Sequence, residues 1–335
     1  MTERAQIDIL YEGVAAWNDW RRENPGVKPL LAGEDLSEMD LTGINLDEAD
    51  LTDAELFQTD LTEANLKMAD LRKADLSGAD LSGAALYKVN LSEACLIEAR
   101  LTGADLRSAT LGGADLRGTT LHGVDFEETN LTNVNFTEAD LSGSNLTHAD
   151  ITGADLRSAN LARTNLTGMQ DGGFADKRGR YYGIRGLDSC FGDPLFVRDA
   201  KDQDYLDTLE VAIEETPSPG KRRWKRFWFN AWSLIDYGRS LGRLAILAFA
   251  VTFLFGLVFH LDVVLNWGFF DLPDSVNSPL TPYYYSIVTF TRLGSGGIAP
   301  THWVGEIVLI CERILGYVAL GLLLSILANR VARRS

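Results

Sequence analysis

An apolar residue recurs at every fifth position from Leu36 to Leu166, 27 times without a break. Twenty-four of these centres are leucine, and the others are Phe126, Phe136 and Ile151. Two positions before the centre the side chain is small: Ala in 16 of the 27 pentads, with Thr, Ser or Val in most others. The residue just before the centre is mostly Asp or Asn, as in ADLSGADLSGAALYKVNLSEA from Ala74 to Ala94. A period of five fits neither the 3.6 of a helix nor the 2 of a flat strand. It requires a backbone that turns once per repeat.

The pattern resembles the pentapeptide-repeat family, A(D/N)LXX, from Glu34 to Gly168 without a gap. The resemblance implies a right-handed quadrilateral β-helix with four pentads per coil, each pentad forming one side of a square. The central residue then points inward and stacks on the centre one coil away. The position two before it must be small because four sides converge on a narrow core. Asp or Asn suits the turning backbone, since its short side chain bonds nearby main-chain groups. With coils at the strand spacing of about 4.8 Å, the pentads make a rod roughly 30 Å long. Its open end would be a sticky edge, and VAAWNDWRREN (Val14–Asn24) is expected to cap it.

The chain has 335 residues and a net charge of −16. Residues 34–168 hold 25 acidic and 9 basic side chains, so this segment alone carries −16 and the two ends nearly cancel. Such an acidic block disfavours nucleic-acid binding and suits a hydrated surface. The rod reads as a rigid scaffold or as a surface for a cytoplasmic protein partner. A DNA-mimicking surface, as in pentapeptide proteins that block topoisomerase, is the lesser reading. His122 and His148 follow central residues and read as solvent-facing. No catalytic constellation, metal-ligand spacing or cofactor motif is visible, so the chain is expected not to be an enzyme. Cys95, Cys190 and Cys311 are far apart and read as free thiols. Ile7–Arg22 reads as one amphipathic helix rather than a secretory leader, which leaves the N-terminal part in the cytoplasm.

The pentad register is lost at Met169. A short helix is expected at Asp202–Glu215, then a TPSPG breaker (Thr216–Gly220). KRRWKRFWFNAWSLIDYGRSLGR (Lys221–Arg243) carries seven Lys or Arg and three Trp. That mixture suits a membrane interface. Nucleic acid is the rival ligand, but the position directly before an apolar span favours lipid. The first span begins at Leu244 and continues toward Leu265, and the second runs from about Trp303 to Ala328. Basic residues flank both outer ends, while Asp262, Asp271 and Asp274 lie between the spans. The positive-inside rule puts both termini in the cytoplasm.

Between the spans lies TPYYYSIVTFTRLGSGGIAPTHWVGEI (Thr281–Ile307). It resembles the pore loop of two-helix potassium channels, an ion channel family. The resemblance implies paired aromatic positions at Tyr284 and Tyr285, a pore helix continued by Ser286–Phe290, and a selectivity filter of Thr291, Arg292, Leu293, Gly294, Ser295 and Gly296. It further implies that Pro300 follows the filter, that Gly305 opens the second span, and that Gly316 is the inner-helix hinge. DYGRS (Asp236–Ser240) is similar to the lead-in of pentapeptide-repeat proteins that carry this pore. A homotetramer in the membrane passing an inorganic ion is the implied assembly. The alternative is a plain two-span anchor that displays the rod without conducting.

Both filter glycines are kept, which preserves the backbone freedom a filter needs. Ser295 stands where the bracing tyrosine would be, and Arg292 where a threonine lines the innermost site. Gly297 follows in place of the usual acid. Four guanidiniums roughly 8 Å apart would repel by about 2 kcal/mol per neighbouring pair at an effective ε near 20. Arg292 therefore either attracts an anion or turns aside to Glu312. Glu312 and Arg313 are intramembrane charges, which default to a functional reading. The other reading pairs them with each other or across subunits. Tyr317, Leu320, Leu324 and Ala328 form the stripe expected to line the cavity and gate it.

The fold class expected is thus multi-domain: a right-handed quadrilateral β-helix followed by an α-helical two-transmembrane channel pore. The expected boundaries are 1–33 for an N-terminal capping helix, 34–168 for the pentapeptide β-helix, 169–220 for a linker and C-terminal cap, 221–243 for a basic aromatic interfacial helix, and 244–335 for the pore with its re-entrant loop.

Overall fold

The computed structural model describes residues 3–172, 180–233, 241–271, 279–291 and 298–332. The chain divides into two compact units, Met1–Ala212 and Ile213–Ser335.

The first unit is built on a ladder of parallel bridges. Leu30 pairs with Asp50, Asp35 with Glu55, Asp40 with Asp60, and the series continues to Asp150 with Gln170. Partners are 20 residues apart, so the chain returns to its own edge after four pentads.

The ladder accounts for every backbone N–H of a pentad. Around Leu36, the central N–H donates to the Glu55 carbonyl of the next coil at 2.8 Å, and the Glu38 N–H donates to the Phe57 carbonyl at 2.8 Å. The residue before a centre donates backward, as Glu55 N–H does to the Glu34 carbonyl at 2.9 Å. The residue two before a centre closes the turn, as Ile44 N–H does on the Leu41 carbonyl at 3.1 Å. That leaves the N–H just after the centre, which donates to the preceding Asp or Asn: Ser37 N–H reaches Asp35 Oδ1 at 3.0 Å. The preference for Asp or Asn follows from this one unused donor. The second residue after each centre takes a left-handed φ, for example 60° at Glu38 and 67° at Gly43. Seventeen such positions in the repeat are not glycine. Each costs roughly 1–2 kcal/mol, which the regular ladder offsets.

The core is the stack of centres. Leu36, Leu56, Leu76, Leu96 and Leu116 lie one coil apart and are fully buried. Phe126 and Phe136 stand on opposite sides of the coil and meet edge to face, with ring centroids 6.4 Å apart. Where the small position is Thr or Ser, its hydroxyl is satisfied by a central carbonyl, as Thr129 Oγ1 is by Leu106 O at 2.7 Å.

The N-terminal side is covered by two helices rather than one, α1 (Glu3–Tyr11) and α2 (Val14–Glu23). Gly13 separates them at φ 109°, a conformation other residues rarely adopt. Trp17 is buried and donates its Nε1 hydrogen to the Asn45 carbonyl at 2.8 Å. Asn18 and Arg21 donate to the Gly43 and Asp47 carbonyls. These bonds use the open carbonyls of the first coil.

At the other end the ladder continues past 168. Asn160 bridges to Arg185 and Asn165 to Phe191. Leu156 N–H donates to the Arg180 carbonyl at 2.8 Å. Tyr181, Ile184 and Leu187 enter the core, and Phe196 and Ala200 of α3 (Pro194–Glu214) pack on them. Burial pushes the Tyr181 hydroxyl well above its usual pKa and the Cys190 thiol up to about 11. The three cysteines are free.

Arginine pairs decorate the surface. Hydrogen bonds from Arg72 and Arg107 hold Asp70 and Asp105 below the ordinary carboxylate range. A carboxyl lowered in the folded state stabilises above its unfolded pKa, and that stability is lost as pH falls. These exposed pairs each contribute little. The rod's melting temperature is expected to hold from neutrality to about pH 5 and to fall below about pH 4. Circular dichroism melts of the full chain across this range check it, and a melting temperature that rises on acidification would contradict it.

Candidate functional site: a short helix held between two apolar spans

The second unit begins at Ile213. Its first full helix, α4 (Pro219–Ser233), has no buried residue. Trp224, Phe227 and Trp228 cluster on it, with centroids 5.5–6.2 Å apart, and all three are exposed. Arg226 pairs with Glu214, and the Arg222 guanidinium donates to the Thr216 carbonyl. Residues 234–240, which include DYGRS, lie outside the described residues.

Three helices form the remainder: α5 (Leu241–Leu265), α6 (Thr281–Thr291) and α7 (Trp303–Ala332). The two long ones hold spans of 24 and 26 residues, with mean hydropathy 2.5 and 2.2. Only 22% and 17% of the most apolar window of each is buried. A core helix of a soluble protein is mostly covered, whereas these two are mostly exposed and long enough to cross a membrane.

The short helix α6 packs on both long ones. Pro282 lies in its first turn, where the missing N–H is not needed. Tyr285, Ser286 and Thr289 are buried, whereas Tyr284 is exposed. Tyr285 joins Phe259 of α5 and Leu309 of α7 in one apolar cluster with Phe270 and Ile298. Close approach on both sides depends on glycine. A Cβ at Gly256 would lie 2.9 Å from Tyr283 Cα, and one at Gly316 would collide with the carbonyl oxygen of Phe290. Gly305 allows the same approach to the carbonyl of Phe269.

The loop ends are tied together by a two-residue antiparallel pair, β1 (Phe270–Asp271) and β2 (Ala299–Pro300). Asp262 fixes the turn that leads into β1. It is buried, and its two carboxylate oxygens accept from Phe269 N–H at 2.9 Å and Phe270 N–H at 3.2 Å. The sequence places it between the spans, and its bonds to backbone make it a cap for the end of α5.

Thr291 ends α6, with its Oγ1 hydrogen donated to the Ile287 carbonyl at 2.7 Å. Arg292, Leu293, Gly294, Ser295, Gly296 and Gly297 lie outside the described residues. Beside Thr291 opens a groove of about 730 Å³, lined by Arg313, Gly316, Tyr317 and Leu320 of α7, together with Phe290 and part of α5. Leu324 and Ala328, farther along α7, are exposed and do not line it. Glu312 is fully buried, and the partner of its Oε1 is Ser286 Oγ at 2.5 Å, a hydroxyl that the sequence reading did not single out. A lone serine in an apolar helix carries no pattern that would reveal it. Among the described residues, no group of three or more His, Cys, Asp or Glu could hold a metal.

A family model for pentapeptide repeats (8 copies) matches residues 35–67, 54–92, 65–103, 99–137 and 129–168. A second, described as an ion channel, matches residues 247–333. No curated protein matches the chain. Among solved structures it is similar to HetL, a pentapeptide repeat protein involved in heterocyst differentiation regulation from the cyanobacterium Nostoc sp. strain PCC 7120. The identity is 28% over 52% of this chain and 95% of HetL, with a TM-score of 0.29. It is also similar to a pentapeptide repeat protein of the Arabidopsis thaliana thylakoid lumen, at 27% identity over 40% of this chain and 69% of that one, with a TM-score of 0.22. The chain therefore joins a domain of pentapeptide repeats to an ion-channel domain with two apolar helices.

Proposed function

We propose that four copies of the chain form a membrane pore around the segment 292–296, with the repeat domain of each as a right-handed quadrilateral rod in the cytoplasm. The observation that carries this reading is α6, a short helix wedged between two spans and ending directly before a Gly-Ser-Gly segment. Both termini are cytoplasmic, α4 lies at the membrane interface, and the rod serves as scaffold or regulatory surface for a protein partner. The exposed α7 face with Tyr317, Leu320, Leu324 and Ala328 lines the cavity, where its apolar character suits a dewetting gate. Gly316 bends α7 on opening.

Arg292 sets the selectivity. A ring of four fixed positive charges at the innermost filter position opposes cation entry, so the pore passes anions or selects weakly. Reversal potentials under a KCl gradient test this, for wild type and Arg292→Thr. The wild type is expected to rest away from the potassium equilibrium potential, and the substitution to move it toward that value. A wild type already at the potassium potential and unmoved by the substitution contradicts the reading. Cross-linking in mild detergent is expected to end at a tetramer.

A further inference from the structure

Three oxygens from three helices meet inside the second unit. Glu312 Oε1 on α7 lies 2.5 Å from Ser286 Oγ on α6, and that Oγ lies 2.7 Å from the Thr252 carbonyl oxygen on α5. Both separations are those of O–H···O bonds, so each needs a hydrogen between its oxygens. A serine hydroxyl has one hydrogen and a carbonyl has none. If Ser286 donated to Glu312, two oxygens would face each other at 2.7 Å with nothing between them. The second hydrogen belongs on the Glu312 carboxyl.

The surroundings agree with a neutral group. Glu312 and Ser286 are both fully buried. The hydrogen-bond partner of Glu312 among the described residues is a hydroxyl and not a cation, and Arg313 beside it lines the groove. Glu312 Oε2 has no hydrogen-bond partner among the described residues. An orphaned carbonyl oxygen is far less costly there than half of an orphaned charge.

We propose that Glu312 is held as the neutral acid and is a positioning residue of the pore: it donates its proton to Ser286, and Ser286 donates to the Thr252 carbonyl. This directional chain locks α7, α6 and α5 together. Ser286 stands five residues before Thr291, about 7.5 Å along the helix, so the lock fixes the depth and rotation of α6 where the filter begins. The consequence for conduction rests on the channel reading, but the protonation state does not.

The test uses the full chain in lipid bilayers at neutral pH. Infrared difference spectra between wild type and Glu312→Gln are expected to show the carbonyl stretch of a protonated carboxylic acid in the wild type alone. Ser286→Ala is expected to shift that band. Ion flux supplies the second readout. Glu312→Leu and Ser286→Ala are expected to lower it about tenfold, and Glu312→Gln, whose amide N–H can replace the acid O–H, is expected to restore most of the loss seen with leucine. A difference spectrum with no acid band overturns the proposal, and so does a Glu312→Gln protein as impaired as Glu312→Leu. If no protein conducts, wild type included, the channel reading fails while the infrared band still decides the state of Glu312.

Discussion

Leu106→Asp is expected to unfold the coils around it, while Arg107→Ala one residue later leaves them intact. Leu106 is fully buried, with Leu86 one coil before it and Phe126 one coil after. Aspartate there loses about 2–3 kcal/mol of apolar burial and brings a carboxyl into a stack with no polar partner, a further cost of several kcal/mol. Arg107 is half exposed and pairs with Asp105 at 2.7 Å and Asp125 at 3.7 Å. Removing such a pair costs about 1 kcal/mol or less. Because stacked repeats contact chiefly their neighbours, the damage from Leu106→Asp concentrates within two coils of the site. Amide exchange resolved by segment reads this directly. Equal loss of protection in the two variants would mean that the inward register is wrong.

The second large effect is expected at Gly316→Val. The position is helical and lies against the carbonyl of Phe290, one residue before the end of α6. A valine side chain must push α7 away from α6, at a cost of about 1–3 kcal/mol or more. Gly321→Ala is the control, since a Cβ there meets nothing within 4 Å in the single chain. The expected result is a lowered melting temperature and lost ion flux for Gly316→Val. A melting temperature and flux equal to those of the control would contradict the packing role.

The repeat ladder was legible because each pentad repeats one solution. The centre, the small position and the Asp or Asn are each required by a single geometric task, and the task recurs 27 times. The last coil was not legible, because the ladder there spans 25 residues from Asn160 to Arg185 instead of 20. An inserted stretch destroys the period while the inward side chains Tyr181 and Ile184 persist. The break at Gly13 was missed because an amphipathic pattern crosses it with little change of phase. In the second unit, apolar runs revealed the spans, and the order of residues in the loop gave the resemblance to a pore. What sequence could not give was pairing. Asp262 and Glu312 show their charge in the sequence but not their partners, two backbone N–H groups for one and a serine hydroxyl for the other.

Ion conduction by the chain is measured most simply as efflux from vesicles. Purified full-length protein in lipid vesicles loaded with potassium chloride and diluted into an osmotically matched salt-free medium is followed in two arms: chloride efflux with valinomycin carrying potassium as counter-ion, and potassium efflux with a protonophore carrying the counter-charge. Efflux is expected to scale with protein content, to be lost in Gly316→Val, and to be faster in the chloride arm or similar in the two arms. Vesicles as tight as protein-free ones, with the protein inserted, folded and tetrameric, would contradict it.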